Sequence, residues 1–210
     1  MAFKKGDFIE LDYTGRLKES GKVFDTTLKE VVEKEDLPKQ ETYEPAIIIL
    51  GEHQLLPGLE EFLEGKEPGT YAVELTSEKA FGKKDAKLLR LIPMKLFKKE
   101  NISPFPGLDV TVDNKHGIIR TVNGGRVIVD FNHPLSGQDV AYDLDVKRVV
   151  DDKKEQVQAV LKTMGLSADV TLEENKAVIT LKHELTKELE EQLAKPIERL
   201  AAVQVEFKKQ

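Results

Sequence analysis

The chain opens on an alternation of apolar and polar positions. Phe8, Glu10, Asp12 and Thr14 interleave with Ile9, Leu11 and Tyr13, which predicts a strand with one apolar face. Gly15 and Gly21 bracket a turn, and Val23-Phe24 enters a second strand. Asp25-Thr26-Thr27 fits the cap of a helix starting near Leu28, with Leu28, Val31 and Val32 on one face; the segment up to Pro45 reads as a helical bulge. Ala46-Ile47-Ile48-Ile49-Leu50 is apolar on both faces and stops at Gly51, the pattern of a central strand. Within Gly51 to Gly69, Leu55, Leu59, Phe62 and Leu63 recur at helical steps, and Leu56 lies three residues before Leu59. Gly65 ends that helix, and Pro68-Gly69 turns into the alternating run Tyr71, Val73, Leu75. A short helix lying across a sheet is expected.

Further on, the apolar run from Ala86 to Phe97 leads to Pro104-Phe105-Pro106-Gly107, and a second small domain starts here. Leu108, Val110 and Val112 alternate, Asn114 to Gly117 is expected to turn, Ile118 to Val122 and Arg126 to Phe131 read as strands, and Asn123-Gly124-Gly125 joins them. After the charged run Asp151-Asp152-Lys153-Lys154, Val157, Val160, Leu161 and Met164 form a helical stripe ended by Gly165. Val170 and Leu172 begin a hairpin turning at Glu173 to Lys176 and returning over Ala177 to Leu181. Leu185, Leu189 and Leu193 then stack at four-residue spacing toward Pro196, which is expected to kink or restart the helix, and Val203, Val205 and Phe207 alternate as a last strand.

With 210 residues, 40% of them hydrophobic, the chain can bury one large or several small cores. No apolar run reaches the roughly 20 residues of a membrane span, and the start carries no signal-like apolar block, so a cytoplasmic address is expected. The absence of cysteine excludes disulfides, thiolate zinc sites and a cysteine nucleophile. A net charge of -6 argues against a general affinity for nucleic acid. His53, His116, His133 and His183 lack the short spacings of a metal site and read as surface or loop residues; neither a phosphate-binding glycine motif nor a catalytic triad is present.

Several segments, in order, resemble the FKBP-type peptidyl-prolyl isomerases: Tyr13-Thr14-Gly15, Gly21-Lys22-Val23-Phe24-Asp25, the stretch Gly51, Leu55-Leu56, Gly58-Leu59-Glu60 and Gly65, then Ala80-Phe81-Gly82, and the closing strand Val140 to Val146. The resemblance spans about the first 150 residues with one interruption. It implies an α+β fold in which an antiparallel sheet wraps on a short helix, with residues 1–84 and 133–150 forming the isomerase domain. Residues 85–132 are similar in placement to the inserted chaperone domain of SlyD-like isomerases, here a small β domain. Residues 151–210, an α-β-β-α-β unit, resemble the C-terminal domain of long archaeal members, where it is associated with self-association. The implied partners are unfolded or proline-containing polypeptides and a second copy of the chain; no cofactor, metal or membrane is implied.

A prolyl amide rotates over a barrier of about 18–20 kcal/mol because of its resonance. A dry apolar pocket favours the twisted amide without any nucleophile. By resemblance, the catalytic set is Tyr13, Phe24, Asp25, Leu56, Phe81 and Tyr142. The Leu56 N–H would hold a substrate carbonyl, and Asp25, oriented by the Tyr13 hydroxyl, would supply a fixed dipole. Ala46, Leu55 and Leu59 would add substrate contacts, with Leu135 and Val140 at the rim. On residue type alone, Phe24, Leu56, Leu59 and Phe81 fit a plain core and Asp25 a helix cap. Met94, Leu96, Phe97, Ile102 and Phe105 of the inserted domain fit either an adaptable apolar surface for unfolded chains or its own core; the resemblance favours the surface. Leu59 stands where eukaryotic relatives have tryptophan, Ala46 where they have phenylalanine and Phe81 where the family has tyrosine. Phe81 and Ala46 keep open a rival reading, a holdase with little isomerase activity, and the last 60 residues a third, a dimerisation protein.

Overall fold

The opening alternation becomes β1 (Phe8–Leu17), to which β2 (Val23–Thr26) and β3 (Ala46–Ile49) both add in antiparallel fashion; the computed structural model describes residues 2–39, 42–181 and 185–209. The chain folds as two compact units. One holds the residues up to Arg16, Gly21–Val73 and those from Ala141 onward, and the other Leu17–Ser20 and Glu74–Val140.

In the first unit, β4 (Gly69–Leu75) and β9 (Val140–Val149) complete a sheet in the order β2-β1-β9-β4, while β3 pairs with β1 off that path. β3 is therefore an edge strand, not the central strand its pattern predicted. It reads as central because both faces are covered: Ile48 and Leu50 are buried, and Ile47 and Ile49 pack into a cluster built mainly by the last 60 residues. Between β2 and β3 lies α1 (Lys29–Lys34). The crossing helix α2 (Pro57–Leu63) begins two residues after Leu55, with Pro57 in its first turn, where the missing N–H costs nothing. Leu55 and Leu56 consequently sit in the turn ahead of the helix, and Leu59 and Leu63 form its buried face.

The C-terminal elements follow the expected order: α4 (Lys153–Thr163), β10 (Asp169–Glu173), β11 (Lys176–Leu181), α5 (Lys187–Ala201) and β12 (Gln204–Lys209). β11 pairs antiparallel with β10 and parallel with β12. Asp152, in the charged run, caps α4 by accepting the Glu155 N–H at 2.9 Å. α5 passes through Pro196 without restarting, and its buried residues are Ile197 and Ala201. Of the leucine stripe expected here, Leu189 is 41% exposed while Leu185 and Leu193 are half-buried. His183 lies outside the described residues. Val157, Val160, Leu161, Ile179, Ile197 and Val203 share one hydrophobic cluster with Phe8 and Ile49, so β1, β3 and the C-terminal layer are buried against the same core.

The second unit contains a four-stranded antiparallel sheet in the order β5-β8-β7-β6, made of β5 (Leu89–Pro93), β6 (Asp109–Val112), β7 (Lys115–Asn123) and β8 (Arg126–Asp130), with α3 (Met94–Lys99) following β5. Its core is Ile92, Phe97, Val110, Ile119, Val127 and Val129. The turn expected over Asn114 to Gly117 lies earlier, at Asp113-Asn114, both at positive φ. Gly117 is in the strand because a Cβ there would come within 2.8 Å of Phe131 and Val129: this glycine marks close packing. Among the described residues no helix is long and apolar enough to cross a membrane.

Truncating Ile179, which is 0% exposed, to alanine is expected to cost about 2–5 kcal/mol in urea unfolding. Because the cluster is shared, amide exchange at Phe8 to Leu11 should accelerate together with that of β11. Acceleration confined to β10–β12 would contradict a common core.

Candidate functional site

The first unit gathers Tyr13, Phe24, Asp25 and Tyr142 where β1 and β2 pair. Gly15 lies opposite Asp25, and the register shifts between Gly15 and Arg16. A Cβ on Gly15 would lie 2.8 Å from the Tyr142 ring and 2.9 Å from that of Phe24; the absent side chain lets two aromatics close over the strand. Phe24 meets Tyr142 edge to face at 5.8 Å between centroids, and Tyr13 tilts against Tyr142 at 6.2 Å.

A hydroxyl ladder holds Tyr13 in place. Thr26 Oγ1 donates to the Tyr13 carbonyl at 2.9 Å and accepts the Leu28 N–H at 3.1 Å. The Tyr13 N–H donates to Thr27 Oγ1 at 3.0 Å, and that hydroxyl donates to Asp12 at 2.7 Å. With its backbone fixed, the Tyr13 hydroxyl donates to Asp25 Oδ2 at 3.0 Å. Asp25 is therefore not the cap of α1, whose N-cap residue is Leu28 and has no side-chain cap bond. Burial first, then the negative charge of Asp25, pushes both the Tyr13 and Tyr142 hydroxyls far above the ordinary tyrosine range. Both stay protonated, so Tyr13 is a permanent donor.

Leu55 and Leu56 are half-buried in the turn before α2, and Leu56 occupies its N-cap position with φ -58° and ψ 142°. Ala46, half-buried, pairs with Leu11 at the start of β3. Leu59 is only 1% exposed, which makes it core beneath this turn and not a wall open to a ligand.

In the second unit, Phe81 stacks on His133 with centroids 4.7 Å apart and planes 3° from parallel. Ser136 Oγ donates to the Phe81 carbonyl at 3.1 Å, Gly137 N–H donates to the Gly82 carbonyl at 2.8 Å, and the Leu135 N–H donates to His133 Nδ1 at 3.2 Å. Phe81 and Leu135 are thus brought to one pair of loops. Val140, expected at a rim, is 0% exposed and belongs to the core, because β9 buries it. The structural partner that sequence reasoning missed is His133; 52 positions separate it from Phe81, and no spacing signals such a stack.

The apolar candidates of the inserted sheet divide. Leu96, Ile102 and Phe105 are exposed, at 48%, 36% and 56%. Phe97, expected at the surface, is 3% exposed, since α3 turns it into the core; Met94 packs partly against the same core. A cavity of about 300 Å³ is lined by Ile92, Leu96, Phe97, Ile102, Val110 and Val112, with Lys99, Glu100 and Asp113 also lining it. Leu89 and Leu91 on β5 are also exposed, at 45% and 54%, and were not singled out from sequence. Among the described residues no cluster of His, Cys, Asp and Glu could hold a metal ion.

Residues 1–95 match the family model described as FKBP-type peptidyl-prolyl cis-trans isomerase, and residues 90–135 that described as FKBP26, IF domain. The chain is 34% identical over 149 residues to the short-type peptidyl-prolyl cis-trans isomerase of Methanocaldococcus jannaschii, covering 70% of this chain and 93% of that protein. It is 31% identical over 144 residues to the FKBP-type isomerase SlyD of Aeromonas hydrophila, covering 67% of this chain and 61% of SlyD. To the FKBP-type 16 kDa isomerase of Escherichia coli it is 33% identical over 114 residues, covering 50% of this chain and 74% of that protein.

Of the four tyrosines, Tyr13 and Tyr142 should resist ionisation in an ultraviolet titration past the ordinary value near 10. Below pH about 10 the phenols are protonated in both folded and unfolded chains; above it only the unfolded chain ionises, so stability falls as pH rises. Tyr13→Phe should remove one late-ionising group and flatten that loss.

Proposed function

The chain belongs to the FKBP-type peptidyl-prolyl cis-trans isomerase family and is a SlyD-like isomerase; from that premise we propose that Tyr13, Phe24, Asp25, Leu56 and Tyr142 act on the prolyl bond by holding it in apolar surroundings beside one fixed dipole. The observation that carries this is the Tyr13 hydroxyl donating to Asp25 next to the Phe24 and Tyr142 rings. Twisting the imide breaks its resonance and shifts charge between nitrogen and carbonyl. An oriented carboxylate and a dry aromatic wall favour that state more than the planar one, which is the condition for rate enhancement. No proton need move. Phe81 and Leu135, in the second unit, are assigned to the same substrate by the family's motif order alone. Without the family's hydroxyl, Phe81 can contribute only an apolar face.

We further assign holding of unfolded chains to the inserted sheet, supported by exposed Leu96 and Ile102, which line its 300 Å³ cavity, and by exposed Phe105. Weak, adaptable apolar contacts there would raise the local concentration of prolyl bonds for the isomerase. Self-association through the C-terminal layer is supported by exposed Leu189 on α5, and Leu189→Glu should then abolish dimers in sedimentation.

Prolyl-limited refolding should accelerate in proportion to enzyme at far below one enzyme per substrate. Asp25→Ala is expected to slow a protease-free peptide assay by about 10²-fold, on the scale of removing one preorganised group. Tyr13→Phe, which loses one hydrogen bond, should slow it by about 2- to 10-fold. Aggregation suppressed only at stoichiometric amounts, with no acceleration, would instead identify a holdase.

A further inference from the structure

The turn from Gly51 to Leu56 joins β3 to α2 and has positive φ at Gly51 and His53, at 92° and 58°. A histidine in that conformation persists only where its surroundings hold it. Its own side chain is exposed, but the residues on either side of it, Glu52 and Gln54, are held by the C-terminal helices. Arg199 on α5 grips Glu52 with both arms of its guanidinium, Nη1 to Oε1 at 2.7 Å and Nη2 to Oε2 at 2.8 Å. Gln54 accepts the Ile49 N–H at 2.8 Å and donates to Thr163 Oγ1 on α4 at 3.4 Å; Thr163 in turn donates to the Ala159 carbonyl at 2.9 Å. Below the turn, Ile47 and Ile49 pack into the cluster of Val157, Leu161 and Ile197. The hydrogen bond from Arg199 holds the Glu52 carboxyl below its usual range, consistent with a formed pair.

Arg199 and Glu52 are too exposed for their pair to add much to global stability. What a two-pronged guanidinium–carboxylate contact does supply is direction, since both groups are planar and only one relative orientation satisfies two bonds. That orientation is imposed four residues before Leu56.

We propose that the C-terminal layer braces the prolyl site: Arg199 acting through Glu52, and Thr163 acting through Gln54, are positioning residues that set where Leu55 and the Leu56 N–H stand. The proposal rests on the reading of Leu56 as the group that holds the substrate carbonyl. A carbonyl held equally in planar and twisted states affects binding more than turnover, so loosening the turn should raise KM and spare kcat.

The test uses the full chain. Arg199→Met keeps the side-chain stem and removes the fork. Its amide exchange from Glu52 to Leu56 should accelerate several-fold, and KM for a short prolyl peptide should rise about three- to fivefold, the range a partly exposed pair can supply, with kcat within about twofold. Arg199→Lys, with charge but no fork, should fall between. The reversed pair Glu52→Arg with Arg199→Glu should restore both readouts at least in part. Unchanged exchange in Arg199→Met would overturn the brace, as would a fall in kcat at constant KM. Accelerated exchange in a chain whose wild type does not isomerise would uphold the brace as structure and sink the catalytic reading instead.

Discussion

Gly15 is the constraint on which the first unit turns. Two aromatic rings occupy the volume that any side chain at this position would need, since a Cβ would sit 2.8–2.9 Å from Tyr142 and Phe24. Such distances are sub-van der Waals, so an alanine would force the rings apart or displace the strand. The rings determine the rest: Tyr142 leans on Tyr13, Tyr13 donates to Asp25, and Asp25 lies opposite Gly15 in the β1–β2 register. The register shifts just after Gly15, where Asp25 faces Gly15 and Val23 faces Arg16, so Phe24 is the residue of β2 left without a partner in the pairing. A missing methyl group thus leaves room for the rings beside which the Tyr13–Asp25 hydrogen bond forms.

Much of the fold was legible where local pattern and burial agree. The alternation of Phe8 to Tyr13, the leucines of α2 and the α-β-β-α-β order of the last 60 residues all became elements. Most of the failures share one cause, tertiary packing overriding local pattern. β3 looked central because the C-terminal layer covers the face that would otherwise meet water. Gly117 looked like a turn because sequence cannot show that Phe131 fills the place of its side chain. α5 runs on through Pro196, although a proline costs a helix interior about 3 kcal/mol or more, and its buried residues Ile197 and Ala201 lie just beyond it. β5 and α3 were missed for a different reason: Leu89 and Leu91 face solvent and Ile92 faces inward, while Pro93 obscures the join between strand and helix. At the site, the motif residues located Tyr13 and Asp25, but not the burial of Leu59 and Val140, which depends on neighbours distant in sequence.

The inserted sheet enters and leaves through one narrow clasp. Phe131 N–H donates to the Leu88 carbonyl at 3.0 Å, and Asn132 exchanges two bonds with the Asp85 backbone, at 2.8 and 3.1 Å. Asn132 also donates twice to Asp130, which is 3% exposed, and Arg120 supplies a further bond at 3.0 Å. Burial pushes the Asp130 carboxyl up, but these donors outweigh it and the net shift is downward. These bonds bring the two ends of the β5–β8 segment side by side, a few residues from Phe81 at one end and from His133 at the other.

The Phe81–His133 stack also shows how a ring can be positioned without the hydroxyl that the family's tyrosine carries. A phenol can be aimed by its hydrogen bond; a phenyl ring must be fixed by contact on its face. His133 supplies that contact at 4.7 Å and is itself fixed because its Nδ1 accepts the Leu135 N–H. The Ser136 hydroxyl and the Gly137 N–H hold the backbone of Phe81 and Gly82 from the same loop. Orientation is thereby transferred from one polar atom to a plane and three backbone bonds. Such an arrangement defines the angle of the ring more firmly than its approach to any hydrogen-bonding group, so it suits an apolar partner better than a polar one.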